Sequence, residues 1–237
     1  MLIPYASSSR GNFYEVWDGH SRIMLECGLP ARQMRRLCGR ALTDYEACLI
    51  THGHGDHARA ADHLFRVGVP VYASSGTLRE LNAMQYSCAT RAYPLAENTL
   101  YTLQGYLVYP AAAFHDCAEP LSFCIESRAT GERLFFAVDT RRLPGAIDGF
   151  DEVAVECNYD DERLLDDGFD PSVKDRIRRN HMSTNRLLSD LRGSNLERTR
   201  LIWLLHISSE RGDAEMFRRR VQDATGIETR IAESWRV

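Results

Sequence analysis

Short apolar runs separated by turn residues dominate the first half of the chain. The runs at 22–26, 47–51 and 69–73 read as strands, and apolar positions recur at helical spacing from about 56 to 66. Residues 100–109 form a hairpin pattern around Gln104-Gly105, and the apolar runs 121–126 and 134–138 flank a turn at Thr130-Gly131. The second half repeats the theme. A buried-type strand at 152–157 precedes a proline-led helix over 171–179, and Ser183 caps a helix through Leu191 that Gly193 ends. The strongest strand pattern, 200–207, leads to a helix over 214–224 stopped by Gly226 and a closing strand over 227–231. Strands come first, helices lie between them, and a similar order returns. This order predicts two packed mixed sheets with helices outside, an α/β chain forming an αββα sandwich, taken as a single domain over 1–237.

Composition narrows the classes. An apolar content of 44% is enough to fill a real core, and no apolar run approaches the ~18 residues of a membrane span. The first residues lack a signal-peptide pattern, and the seven cysteines are odd in number with no CxxC pair, which disfavours a disulfide framework or a cysteine zinc site. A cytoplasmic protein with no membrane partner is expected. The net charge is −4, yet Lys174 is the only lysine, so almost all positive charge is arginine. A genome-wide bias explains this blandly. Phosphate recognition explains it sharply, because a guanidinium fork pairs phosphate oxygens two at a time. The clusters Arg176-Ile177-Arg178-Arg179 and Arg218-Arg219-Arg220 keep that second reading open.

The chemical signal is Thr51-His52-Gly53-His54-Gly55-Asp56-His57, behind one buried strand and ahead of a helix. Two glycines let a tight loop turn several side chains the same way. His52 and His54 share a face in extended chain, while Asp56 and His57 open the helix and reach a neighbouring position. A solvated turn needs no such spacing, and the pattern suits two close metals better than one. His115 and His206 each end an apolar segment, and Asp139 ends another. Singly, these would be rim histidines and a cap aspartate. Beside the first cluster they become candidate ligands, with Asp139 able to bridge two cations. His20 and His63 have no partner pattern.

These residues resemble the signature of the metallo-β-lactamase superfamily. The resemblance implies one metal on His52, His54 and His115, a second on Asp56, His57 and His206, and Asp139 between them. A narrower resemblance is to the YycJ/WalJ-type branch, associated with 5′ to 3′ DNA exonuclease activity. It rests on Ser7-Ser8-Ser9-Arg10-Gly11-Asn12, Glu156-Cys157-Asn158-Tyr159-Asp160, Asn180-His181-Met182-Ser183 and His206-Ile207-Ser208. Three positions depart from it: Glu26 stands where aspartate is usual, Tyr159 for histidine and Asn180 for glycine.

The expected cofactors are two divalent ions, zinc or manganese, which suit imidazole and carboxylate ligands. Such a pair ~3.5–4 Å apart can share a water and bring its pKa toward ~7. Asp56, Glu156 and His181 are the candidate catalytic residues, the last two as a carboxylate–imidazole pair protonating an alkoxide leaving group. Ser8, Ser9, Asn12, Asn158 and Ser183 are candidate substrate contacts, Ser183 as the cap of a helix whose amides would face phosphate. The leading expectation is a nucleic-acid phosphodiesterase, most of all a DNA exonuclease. The alternatives are a cyclic-nucleotide phosphodiesterase, a thioester or lactone hydrolase of glyoxalase II type, and a binding module that has lost catalysis. A binding module would lack ligands, and all seven are present. Between His57 and His206 there is little length for a large cap, so an open groove or one shaped by a second copy in a homo-oligomer is expected.

Overall fold

The structure is a computed structural model that describes residues 1–83, 91–166, 168 and 170–232. The first sheet holds β1 (Leu2–Ala6), β2 (Phe13–Trp17), β3 (Arg22–Leu25), β4 (Ala47–Leu49), β5 (Val71–Ser74) and β6 (Ala92–Leu95), side by side in chain order. The second holds β7 (Tyr101–Leu103), β8 (Tyr106–Ala112), β9 (Leu121–Ser127), β10 (Arg133–Ala137), β11 (Glu152–Glu156), β12 (Leu201–Leu205) and β13 (Glu228–Ile231), again in chain order. Each sheet is antiparallel where it begins and parallel where it ends. The helices are α1 (Ala31–Cys38), α2 (Gly55–Ala58), α3 (Ala61–Val67), α4 (Ser75–Ala83), α5 (Asp161–Asp166), α6 (Pro171–Asn180), α7 (Thr184–Arg192) and α8 (Ala214–Thr225).

Strand alternation builds the layers. Ile23 and Leu25 of β3 point to one face and meet Leu134 and Phe136 of β10 in a core shared by both sheets. Tyr14 and Phe136 touch edge to face across that core, with ring centroids 5.1 Å apart. Met24, between Ile23 and Leu25, faces the other way and packs with Met34 of α1 and Leu64 of α3. Phe135 does the same in the second sheet, against Leu187 and Leu191 of α7 and Phe217 and Val221 of α8. Two mixed sheets flanked by helices are what the apolar pattern predicts.

Several elements differ from that pattern. β1, β2, α1, α4, β6 and α5 are not among the elements that the pattern predicts. β2 hides because Glu15, in its middle, is fully buried yet charged. It is paired with Arg22 and Arg40 and accepts hydrogen bonds from Tyr5 and Tyr45. The single helix expected over 56–66 is two, α2 and α3. The carbonyls of Asp56 and His57, which would continue one helix, instead accept from the backbone N–H groups of Asn12 (2.8 Å) and Cys27 (2.7 Å), and the Ala60 N–H donates to Cys27 (2.8 Å). Ser183 caps α7, accepting from the Arg186 N–H, and Gly193 and Gly226 end α7 and α8. Cys88 lies outside the described residues.

Candidate metal centre

The parallel strands β3, β4, β10, β11 and β12 run the same way within each sheet, and their carboxyl ends supply the site. Glu26 follows β3, His52 follows β4, Asp139 follows β10, Glu156 ends β11 and His206 follows β12. β8 is antiparallel to β9, which is antiparallel to β10, so His115 emerges at the same rim. Glu26, Asp139 and His206 all have positive φ, at 63°, 46° and 50°. Non-glycine residues rarely take this conformation, and here it turns each side chain out of its strand into the site.

Two constellations form. His52 Nε2 lies 3.1 Å from His54 Nδ1, and His115 Nε2 lies 3.2 Å from the same atom. Beside them, His57 Nε2 is 3.4 Å from Asp56 Oδ2 and 3.2 Å from Asp139 Oδ2, and His206 Nε2 is 3.7 Å from Asp56 Oδ2. Asp139 joins the two groups, because its Oδ2 is also 3.8 Å from His52 Nε2 and 3.7 Å from His115 Nε2. In each group, the donor atoms fall within 4.8 Å of one another.

The donor sets fit metal ions. Asp139 Oδ1 and His206 Nε2 are buried polar atoms with no hydrogen-bond partner, a costly state that a cation would relieve. The outer nitrogens of His52 and His115 are hydrogen-bonded as those of metal-binding imidazoles usually are, whereas His57 Nδ1 and the nearby Glu26 Oε2 have no hydrogen-bond partner. Thr51 Oγ1 sits 3.0 Å from His52 Nδ1, His115 Nδ1 donates to the Asn180 carbonyl at 3.1 Å, and Glu26 Oε2 sits 3.5 Å from His57 Nδ1. Glu26, where the family pattern has aspartate, thus reaches a ligand with its longer side chain. Charge balance agrees. Although burial opposes ionisation, His206 and His57 hold Asp139 well below the usual carboxylate range. Burial likewise disfavours imidazolium at His57 and His206, yet Asp139 and the neighbouring carboxylates raise the first well above its ordinary value and push the second up to about 10. Without metal, protons supply the positive charge that the carboxylates demand, so metal binding must displace protons.

The Ser7–Asn12 segment clamps this centre. The buried Ser7 Oγ accepts from the His206 N–H at 2.8 Å and pairs with Tyr14 Oη at 2.7 Å. Asn12, fully buried, donates to the Ser8 and Asp56 carbonyls at 3.1 and 3.2 Å, with its Nδ2 3.1 Å from His57 Nε2. Ser8 is half-buried and Ser9 exposed. Asn158 donates to the His206 carbonyl at 2.8 Å, and Ser183 caps α7. The side chains of Asn12, Asn158 and Ser183 are therefore engaged with internal partners. Thr140 did not stand out in the sequence, and Ser7 did so only as part of the Ser7–Asn12 segment, with no role of its own. Thr140 donates its N–H to Glu156 Oε2 at 2.8 Å while its Oγ1 accepts from the Phe114 N–H at 2.9 Å, tying the Glu156 carboxylate to the His115 loop. Their signal was adjacency to Ser8 and Asp139, which is weak because Ser and Thr are common loop residues.

The second predicted pair also forms. His181, the residue after α6, places Nδ1 2.7 Å from Glu156 Oε1, and its ring stacks on His206 with centroids 5.7 Å apart. Burial disfavours its charge, but the Glu156 carboxylate raises its pKa. Asn180 holds this pair to the first constellation: its carbonyl receives His115 and its Nδ2 donates to Asp116 Oδ2 at 2.8 Å. A glycine could supply only the first contact.

The close approach of β3 to the metal loop is a point of steric control. A Cβ at Gly28 would lie 1.6 Å from the Asp56 carbonyl oxygen, which neither backbone can yield cheaply. Gly28→Ala is expected to cost about 3 kcal/mol or more, lowering Tm by roughly 6–12 °C for a chain of this size. Calorimetry of the two proteins checks it, and an unchanged Tm would mean the loop is free to move.

Fold and site together define a metallo-β-lactamase-fold hydrolase. The family model described as the β-lactamase superfamily domain matches residues 21–207, and the chain belongs to that superfamily. It is similar to the exodeoxyribonuclease YycJ of Bacillus anthracis, 25% identical over 224 residues that cover 90% of this chain and 84% of the relative. The metallo-β-lactamase fold protein YhfI of Bacillus subtilis superposes with a TM-score of 0.73 at 14% identity, covering 98% of this chain and 96% of that one. A diphosphatase of the PhnP family superposes at 0.69 with 16% identity, covering 98% and 94%. Among the described residues no helix is long and apolar enough to cross a membrane.

Proposed function

We propose that the protein is a dinuclear metal-dependent phosphodiesterase acting on nucleic acid, with 5′ to 3′ exonucleolytic cleavage of DNA as its activity. The observation that carries this reading is the Glu156–His181 pair beside the shared carboxylate Asp139. A thioester releases a thiolate that departs without much help, whereas the alkoxide released from a phosphodiester, as from a lactone, needs a proton. The name of the Bacillus anthracis relative supports DNA as the polymer.

His52, His54 and His115 would hold one divalent ion, and Asp56, His57 and His206 the second, with Asp139 between them. Zinc or manganese, so bound, would supply an acidified water and positive charge for the phosphoryl oxygens. The chain's own residues do the rest. Asp139 would offset the repulsion between the two cations. Glu156, buried and anchored by the Thr140 N–H, fixes His181 through Nδ1. That leaves Nε2 of the partly exposed ring as the nitrogen that delivers a proton to the departing oxygen.

Metal-loaded protein incubated with end-labelled DNA, RNA and cyclic nucleotides tests the reading. Mononucleotides released in order from one end of DNA are expected. Turnover of cyclic nucleotides alone would overturn it.

A further inference from the structure

The arginine clusters that stand out in the sequence are partly neutralised in the fold. Arg178 pairs with Asp175, Arg218 with Glu215 and Arg220 with Asp160. A different set is not. α1 buries Met34 and Cys38 and exposes Arg32, Arg35 and Arg36, at positions i, i+3 and i+4 of one face. Among the described residues none of the three has an ion-pair partner, and residues 30–41 contain no acidic side chain. They line a cavity of about 1210 Å³, to which Arg40 also contributes. Three guanidinium groups spaced to repel one another are an expensive way to keep a helix wet, in a chain whose net charge is negative.

The stripe starts at the metal loop. Leu29, two residues before α1, fills the space where a Gly11 Cβ would stand, 2.3 Å away. Gly28 donates to the Asn12 carbonyl and Cys27 to the His57 carbonyl, while Ala60 donates back to Cys27. These bonds gather three loops around the ligands Asp56 and His57. Two of the loops present an exposed arginine, Arg10 and Arg59, also without an ion-pair partner among the described residues. Arg10, Arg59 and the α1 arginines thus sit on segments that these bonds join at the metal loop.

We infer that the Arg32–Arg35–Arg36 face of α1, continuous with Arg10 and Arg59, is the track that binds the phosphate backbone of the nucleic-acid strand whose end occupies the metal centre. The inference rests on the nucleic-acid reading above. Arginine forks suit successive phosphates, and such contacts add affinity without sequence preference.

The test is binding of metal-loaded protein to a fluorescein-labelled, phosphorothioate single strand, followed by anisotropy from about 50 to about 200 mM salt. The variant Arg32→Gln/Arg35→Gln/Arg36→Gln is expected to bind ~10-fold or more weakly at the low-salt end. Its log–log salt slope should be shallower by about 2, at ~0.7 for each phosphate that is no longer neutralised. Replacing the same three by lysine should keep most of the slope, which separates lost charge from a misfolded helix. Arg66→Gln/Arg128→Gln/Arg219→Gln, the same charge change at exposed positions elsewhere, should leave the slope unaltered. An unchanged slope in the first variant, or equal losses in both glutamine triples, overturns the track while leaving the proposed function standing. A wild-type protein that binds no nucleic acid overturns both.

Discussion

Replacing Asp139 by asparagine is expected to reduce phosphodiester cleavage by at least ~10³-fold and to lower bound metal by about one equivalent per chain. The argument starts from its position. Asp139 follows β10 at a φ of 46°, and its Oδ2 lies 3.2 to 3.8 Å from ring nitrogens of His57, His52 and His115. Among the described residues no other carboxylate reaches both constellations. Without its negative charge, two cations held by these groups would repel one another with nothing to offset it. A loss of several kcal/mol of transition-state charge stabilisation follows, and each 1.36 kcal/mol is a decade in rate. Asparagine keeps the size of the side chain and tolerates positive φ, so the protein should stay folded. Alanine at the same place adds backbone strain and serves as the harsher comparison. Elemental analysis of the purified proteins, with single-turnover cleavage of labelled DNA, gives both readouts. Full activity with undiminished metal in the asparagine variant would sink the two-metal mechanism.

The strands at the centre of each sheet were legible because burial on both faces leaves long apolar runs with little else to be. β10 and β12, whose side chains pack alternately into the shared core and the outer layer, are examples. The ends of those strands were legible for a related reason: a histidine or aspartate that closes such a run must sit at the rim. Convergence of the seven side chains follows once the carboxyl ends of β4, β8, β10 and β12 share that rim. The illegible parts depend on contacts far apart in sequence. Glu15 looks like the end of a strand until Arg22, Arg40, Tyr5 and Tyr45 are seen around it. The break between α2 and α3 is made by Asn12 and Cys27, not by anything within 56–66. Ser7, Asn12 and Thr140 are ordinary loop residues by type, and only their partners make them fasteners of the site. That Arg32, Arg35 and Arg36 share one helix face is seen only once α1, unexpected from the sequence, is in place.

His181→Ala carries the second large expectation, and its form matters more than its size. Nδ1 of His181 is held 2.7 Å from the buried Glu156, and the ring is partly exposed. A carboxylate in that position favours the protonated ring and fixes its direction, which are the two requirements of a general acid. Proton donation matters only where the leaving group cannot depart alone. Removing His181 should therefore slow release of a nucleoside alkoxide by ~10²–10⁴-fold, the usual worth of such catalysis, while a nitrophenyl phosphodiester, whose leaving group is stable as an anion, should slow by less than ~10-fold. A structural role predicts something else. If His181 only packed against His206 and held the metal centre together, both substrates would lose rate by the same factor, and metal content would fall with them. Glu156→Gln gives the internal comparison. It keeps a hydrogen-bond partner for Nδ1 but removes the charge that raises the imidazole's proton affinity, so it should reproduce the leaving-group dependence in weaker form. Equal slowing of the two esters in both variants would remove His181 from the proton path and leave the leaving oxygen to be stabilised by metal alone.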